Sequence, residues 1–241
     1  MRRLVTVLLA IAAAGATHAQ PAAPSPQEAR QQALAENALI TEVNAATDPA
    51  AKKALLLKLI ALSPRLRYQV SLGGLDMAAG DYAGALADYD AAIARWNGPH
   101  ATPDPDAADG AAQAELAYSG RASALAKLKR LPEALAAYAK TTEVAPQSAT
   151  AWFNVCAMAY NQGEVKQSLA ACDRAIALNP GRADAYFIKG SLLVGDATAD
   201  KDGKPHAPPG ALESLHKYLE LAPAGAHASD VREMLAYFEK P

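Results

Sequence analysis

Residues 149–182 read ATAWFNVCAMAYNQGEVKQSLAACDRAIALNPGR, and this stretch decides the fold. Apolar residues recur every three to four positions on both sides of Gly163, a pattern typical of two amphipathic helices joined by a turn. Glycine readily adopts the left-handed conformation that ends a helix, and Pro180 cannot continue the second helix. The stretch therefore predicts a helical hairpin.

The same pattern recurs at a fixed interval along the chain. Segments that begin at Glu115, Ala149 and Ala183 follow one another every 34 residues, and an earlier copy covers residues 66–97. This period resembles the tetratricopeptide repeat. The resemblance implies that the small residues of the pattern lie where the two helices of a hairpin meet, and that the bulky ones lie where neighbouring hairpins meet. The resemblance implies an all-α fold, a right-handed superhelical solenoid whose concave face is lined by the first helix of each repeat.

The repeats set the expected boundaries of the other segments. Pro223 falls 43 residues after Pro180, so the last repeat should contain an insertion. The predicted organisation is a signal peptide at 1–19, a flexible segment at 20–27, a degenerate N-terminal helix pair at 28–65, repeats at 66–97, 115–148, 149–182 and 183–225, a loop at 98–114, an insertion at 196–210 and a capping helix at 226–241.

The first residues predict export. Arg2 and Arg3 precede an apolar run of about eleven residues, which is too short to span a bilayer, and Thr17 and Ala19 are small residues placed as at a signal-peptidase site. We therefore expect cleavage near Ala19 and a periplasmic or secreted product.

The charge of the expected mature chain argues against two classes of partner. Without Arg2 and Arg3, the 23 basic residues fall to 21 against 25 acidic ones, a net charge of −4. Nucleic acids and anionic membranes are bound by basic surfaces, so neither is an expected partner. No later stretch reaches the ~20 apolar residues of a transmembrane helix, so membrane insertion is not expected either.

Motifs of catalysis and of cofactor binding are missing from the sequence. The histidines show no zinc-binding spacing, and no phosphate-binding or nucleophile-elbow motif occurs. Asp200 and Asp202 have part of the spacing of a calcium loop, but the Asp-Gly pair at 202–203 more simply indicates a β-turn. We therefore predict a protein that is not an enzyme and has no cofactor or metal.

Cys156 and Cys172 form a possible disulfide. Both stand at repeat positions that face the interior of one hairpin, and an exported protein meets oxidising conditions. Free cysteines are also common as small core residues, so the sequence leaves both states open.

The family resemblance also implies which residues face a partner. In the family, the groove is lined by repeat positions 2, 5, 9, 12 and 13, which include Ala157 and Asp184 here. Phe153, Tyr160 and Phe187 should form an exposed apolar patch, which usually marks a partner site. The predicted partner-binding residues are Arg67, Met77, Ser123, Lys127, Phe153, Tyr160, Asn161 and Phe187.

The sequence thus predicts an interaction scaffold or adaptor that binds a peptide or protein partner in its concave groove. One alternative is a structural subunit of an envelope complex, or a self-associating protein, whose groove is filled by a second copy or by its own chain. The other is an enzyme accessory factor that uses the two long loops. The oligomeric state is left open by the sequence.

Overall fold

The computed structural model describes residues 25–99 and 108–239, which form eleven α-helices and one short β-hairpin. The helices are α1 Pro26–Ala45, α2 Pro49–Leu62, α3 Leu66–Ala79, α4 Tyr82–Asn97, α5 Gly110–Lys127, α6 Leu131–Val144, α7 Ala149–Asn161, α8 Val165–Leu178, α9 Ala183–Val194, α10 Ala211–Leu221 and α11 Ala228–Phe238.

Consecutive helices pack as hairpins, and each hairpin packs on the next. Helices α3 with α4, α5 with α6, α7 with α8 and α9 with α10 form the four repeats. The first helices of neighbouring repeats also touch, α3 against α5 and α7 against α9. We call the side formed by α3, α5, α7 and α9 the first-helix face. The predicted all-α solenoid of tetratricopeptide-like hairpins is confirmed.

Turns inside the repeats use the left-handed backbone conformation. Gly80 and Gly163 have φ of 80° and 75°, and they end α3 and α7. In the repeat that lacks this glycine, Lys129 takes the same place with φ of 63°. The turn geometry is therefore kept where the sequence departs from the family pattern, and a lysine adopts a conformation that favours glycine.

Small residues let the helices approach one another closely, as the repeat pattern predicts. Ala122 and Ala134 are completely buried between α5 and α6. Between α4 and α5, the ring of Tyr89 lies against Gly120, and a methyl group added there would overlap the ring. Gly190 of α9 meets Leu215 of α10 in the same way.

Two predicted boundaries were wrong. Helix α1 begins at Pro26, inside the segment predicted to be flexible, because Ser25 and Glu28 form a reciprocal capping box. Helix α5 begins at Gly110, so residues 110–114 are helical and not part of the predicted loop; buried Ala114 anchors this first turn. The predicted signal peptide and the loop residues 100–107 lie outside the described residues.

The insertion lies between the two helices of one repeat. It contains β1 Thr198–Ala199 paired antiparallel with β2 Pro205–His206. The carboxylate of Asp200 accepts backbone N–H bonds from Asp202 and Lys204, both at 2.9 Å. This carboxylate therefore closes the turn that joins the two strands.

Helix α11 covers the last repeat. Its residues Val231, Leu235 and Phe238 are buried, and the first two share a core cluster with Leu215 and Tyr218 of α10. The apolar side of the final hairpin is thereby closed from solvent, as a terminal repeat requires.

Candidate partner-binding site

A cavity of about 280 Å³ opens on the first-helix face between α7 and α9. We call it the aromatic cavity. Its position follows from the repeat, because the end of one first helix lies beside the beginning of the next. Its lining residues are Phe153, Ala157, Tyr160, Asn161, Asp184, Phe187, Ile188 and His227. Four of the eight predicted partner-binding residues therefore meet at one place.

Phe153 forms one wall and is held by a cation. The guanidinium carbon of Arg182 lies 4.5 Å from the centre of the Phe153 ring. Arg182 also donates from Nη2 to Oγ1 of Thr150 at 3.0 Å. The ring is half-buried, so it keeps a surface that a partner can contact.

Phe187 forms the opposite wall, but the prediction that it is exposed was wrong. Only 9% of the residue is exposed, because the ring of His227 is stacked on it with centroids 3.8 Å apart. The backbone N–H of His227 donates to Oη of Tyr218 at 2.9 Å, which fixes the imidazole over the phenyl ring. Phe187 is therefore mainly a core residue whose edge reaches the cavity.

The rim of the cavity is polar. Asn161 and Asp184 are exposed, and Tyr160 is half-buried beside them. Asp184 stands in the first turn of α9, where a negative charge is favourable. Within residues 25–99 and 108–239, its carboxylate forms no ion pair and no hydrogen bond. The rim therefore presents an acceptor group with no partner in the described part of the chain.

A disulfide lies directly behind the cavity. Cys156 of α7 and Cys172 of α8 are bonded, with 5.0 Å between their Cα atoms, and both are completely buried. They belong to the same core cluster as Phe187 and Ile188. The hydroxyl of Ser168 donates to the carbonyl of Cys156 at 2.8 Å. The two helices of this repeat are thus joined covalently next to the wall that carries Phe153.

The other four predicted residues do not meet at this cavity. Arg67 lines a separate cavity of about 350 Å³ near α1, with its Nη2 3.7 Å from Oδ1 of Asp109. Met77 is half-buried against a core cluster, and Lys127 is exposed at the end of α5. Ser123 was expected on the groove, but its hydroxyl lies 2.9 Å from that of Tyr138 of α6. The Ser123 hydroxyl is therefore engaged within its own hairpin.

The largest of the described cavities, about 700 Å³, lies elsewhere, between α8, α9 and α10. Its lysines already have partners in the fold. Lys189 pairs with Asp173 at 2.6 Å, and Lys217 pairs with Glu220 at 2.7 Å. Since no predicted partner-binding residue lines it, we place the candidate site at the aromatic cavity.

Sequence reasoning missed His227, although a signal for it existed. Ala226 follows Ala183 by 43 residues, the same interval that separates Pro223 from Pro180. Helix α11 thus continues the repeat register as a further first helix. That register gives His227 the second repeat position, which lines the groove in this family.

Two further kinds of functional feature are a group of metal-ligating side chains and a helix that could span a membrane. In residues 25–99 and 108–239, no three His, Cys, Asp or Glu side chains are grouped so that they could hold a metal. Within the same ranges, none of the helices has the length and apolar content needed to cross a bilayer.

Comparison with known proteins agrees with the fold. A family model described as tetratricopeptide repeat matches residues 71–149 and 119–183. No curated protein matches the sequence.

Three solved structures illustrate the structural likeness. YrrB, described as a TPR protein with an unusual peptide-binding site, has a TM-score of 0.58 at 18% identity, covering 82% of this chain and 88% of that one. MamA from Desulfovibrio magneticus RS-1 has a TM-score of 0.55 at 16% identity, covering 82% and 97%. A tetratricopeptide repeat protein from Parabacteroides merdae has a TM-score of 0.59 at 12% identity, covering 88% and 75%. At these identities the likeness shows the fold alone.

Proposed function

Because a tetratricopeptide-repeat family model matches residues 71–183, we propose that this protein is an adaptor that binds a peptide or protein partner on its first-helix face. The aromatic cavity is the proposed point of contact. The proposed role requires binding and no catalysis. YrrB, which shares the fold, is described as having a peptide-binding site, and the proposal extends that kind of role to this chain.

One observation carries the proposal. Phe153 and Tyr160 stay partly accessible at a cavity on the first-helix face, beside two exposed polar residues, Asn161 and Asp184. Accessible aromatic rings with a polar rim are the usual anatomy of a binding site. The volume, about 280 Å³, is near the lower end of ligand pockets. A cavity of this size suits one side chain of a longer polypeptide.

We propose further that the protein works outside the cytoplasm. Two features support this location, namely the signal-like residues 1–19 and the buried Cys156–Cys172 disulfide, since disulfides persist in oxidising compartments. Intact-mass measurement of protein recovered from the periplasmic fraction tests the location. A mass that corresponds to a chain beginning near Gln20 supports this location, and full-length protein found in the cytosol contradicts it.

Differential capture tests the adaptor role. Tagged wild-type protein, Phe153→Ala and Tyr237→Ala are compared for co-purifying proteins by quantitative mass spectrometry. Tyr237 is a suitable control because it is an aromatic residue with 58% exposure on α11 and does not line the cavity. We expect the partner to be lost from Phe153→Ala and retained by Tyr237→Ala. Equal recovery with all three proteins would refute the cavity as the binding site.

Self-association is the rival that needs a separate measurement. If a second copy fills the first-helix face, wild type should be a dimer and Phe153→Ala a monomer in size-exclusion chromatography with light scattering. Under the adaptor proposal, both proteins have the same oligomeric state.

A further inference from the structure

The aromatic cavity has one carboxylate at its rim that forms no ion pair among the described residues. Of its eight lining residues, Asp184 is the sole carboxylate, and no lysine or arginine is among them. Arg182 stands two residues away, but its guanidinium lies over Phe153 and donates to Thr150. The carboxylate of Asp184 is therefore left at the rim without a cationic partner among the described residues.

The walls below this carboxylate are apolar. Phe153, Ala157 and Ile188 line the interior, and the edge of Phe187 closes one side. An aliphatic chain can pack on such walls while a polar group at its end stays at the rim. Ring faces also attract cations, and the contact between Arg182 and Phe153 is an example within this chain.

A lysine or arginine side chain combines these two properties. Its methylene stem is apolar and its head is a charged hydrogen-bond donor. We propose that the aromatic cavity binds a basic side chain of the partner, with the stem against Phe153 and Ala157 and the head on the carboxylate of Asp184. This inference rests on the proposed function and adds the chemistry of the ligand.

The same geometry disfavours an acidic ligand. A carboxylate entering the cavity would approach Asp184 with like charge, beside apolar walls that screen poorly. The side-chain amide of Asn161 and the hydroxyl of Tyr160 are rim groups that could donate to it, and both are uncharged. Discrimination between basic and acidic peptides is therefore the property to measure.

Two peptides that differ at one residue provide the probe, acetyl-GSLKLSG-amide and acetyl-GSLELSG-amide. Each is titrated at low salt into the ¹⁵N-labelled whole protein, and binding is followed by the NMR shifts of Tyr160 and of the Asn161 side-chain amide. We expect the lysine peptide to bind about fivefold more tightly than the glutamate peptide. Asp184→Asn should remove this preference, and Asp184→Lys should invert it.

Glu213→Gln is the matched control. Glu213 is an exposed acid in the first turn of α10, as Asp184 is in α9, but it does not line the aromatic cavity. This variant should keep the preference for lysine. Because both variants remove one first-turn charge, a general effect of net charge or of helix stability would appear in both.

The outcomes separate this inference from the proposed function. If both peptides shift the cavity signals with equal affinity, or if Asp184→Asn keeps the preference, the basic-ligand inference is refuted while the cavity remains a binding site. If neither peptide shifts these signals, the inference is also refuted. Photo-cross-linking from Asn161 in cells then decides whether the proposed function stands.

Discussion

The rings of Phe187 and His227 lie parallel, with their planes at 1° and their centroids 3.8 Å apart. This contact joins α9 to the beginning of α11 and buries the phenyl ring. The two phenylalanines of the aromatic cavity therefore differ in burial and in role. Phe187 supports the fold, and Phe153 remains available to a partner.

Alanine substitutions should therefore have different effects at the two positions. Phe187→Ala should lower the free energy of unfolding by about 3 kcal/mol, as expected for a buried phenylalanine. Phe153→Ala should cost about 1 kcal/mol, because its ring is only half-buried. Urea unfolding followed by circular dichroism measures both. Equal losses would mean that the two rings are equivalent and that the separation of roles is wrong.

The disulfide between Cys156 and Cys172 should be present in protein purified without reductant. Alkylation under denaturing, non-reducing conditions should label no thiol, and labelling of both cysteines would contradict the bond. The cysteines are 16 residues apart, so replacing both with alanine should cost about 3 kcal/mol of stability. Reduced wild-type protein should show a similar loss, which serves as an internal control.

Lys129 is a position where the protein can be stabilised. Its φ of 63° is left-handed, which costs about 1 kcal/mol for a residue with a side chain. Lys129→Gly should therefore raise the free energy of unfolding by about that amount. Part of this gain is offset, because glycine increases the conformational entropy of the unfolded chain. Lys129→Ala keeps the strain and should be close to neutral. The backbone explanation fails if alanine stabilises the protein as much as glycine does.

Asp88 should make stability depend on pH. Burial, together with the negative charge of nearby Asp76, raises the pKa of the Asp88 carboxyl to about 6. Asp76 is itself buried, with 4% exposure, and pairs with Lys53 at 2.6 Å. The folded protein therefore binds this proton more tightly than the unfolded chain, and the associated stability is lost as pH rises from about 4 to about 6.

Asp88→Asn removes this dependence. The variant should gain stability relative to wild type across the same pH window, by about 1 kcal/mol once screening of the half-buried group by water is allowed for. Thermal melts at pH 4.0, 5.0, 6.0 and 7.5 measure the difference. A difference that does not change with pH would show that the carboxyl titrates normally.

Local sequence patterns predicted the fold well because each repeat is built from nearby residues. Pro180, Gly163 and the 34-residue spacing are enough to define a hairpin and its successor. Lys129 shows that one position does not decide whether the turn forms. The turn is kept without its glycine, because the two helices on either side fix it. The boundary at Gly110 was missed because that first turn is anchored by burial of Ala114 and not by a local capping motif.

The candidate site was predictable in part, for a physical reason. The repeat register brought Phe153, Tyr160 and Asn161 to one surface, because they share a helix. The burial of Phe187 depends on His227, which is 40 residues away and reaches the cavity only because α11 packs on the last repeat. A contact across such a distance follows from tertiary packing, and the sequence indicates it only through the 43-residue interval that relates Ala226 to Ala183.

The most direct test of the account is site-specific photo-cross-linking in living cells. A benzophenone amino acid is placed at Asn161 on the rim of the aromatic cavity or at Arg174, an exposed residue of α8 that lines none of the described cavities. The account predicts a discrete adduct with another polypeptide from position 161 and none from position 174. Adducts from 174 alone, or equal adducts from both positions, would contradict binding on the first-helix face.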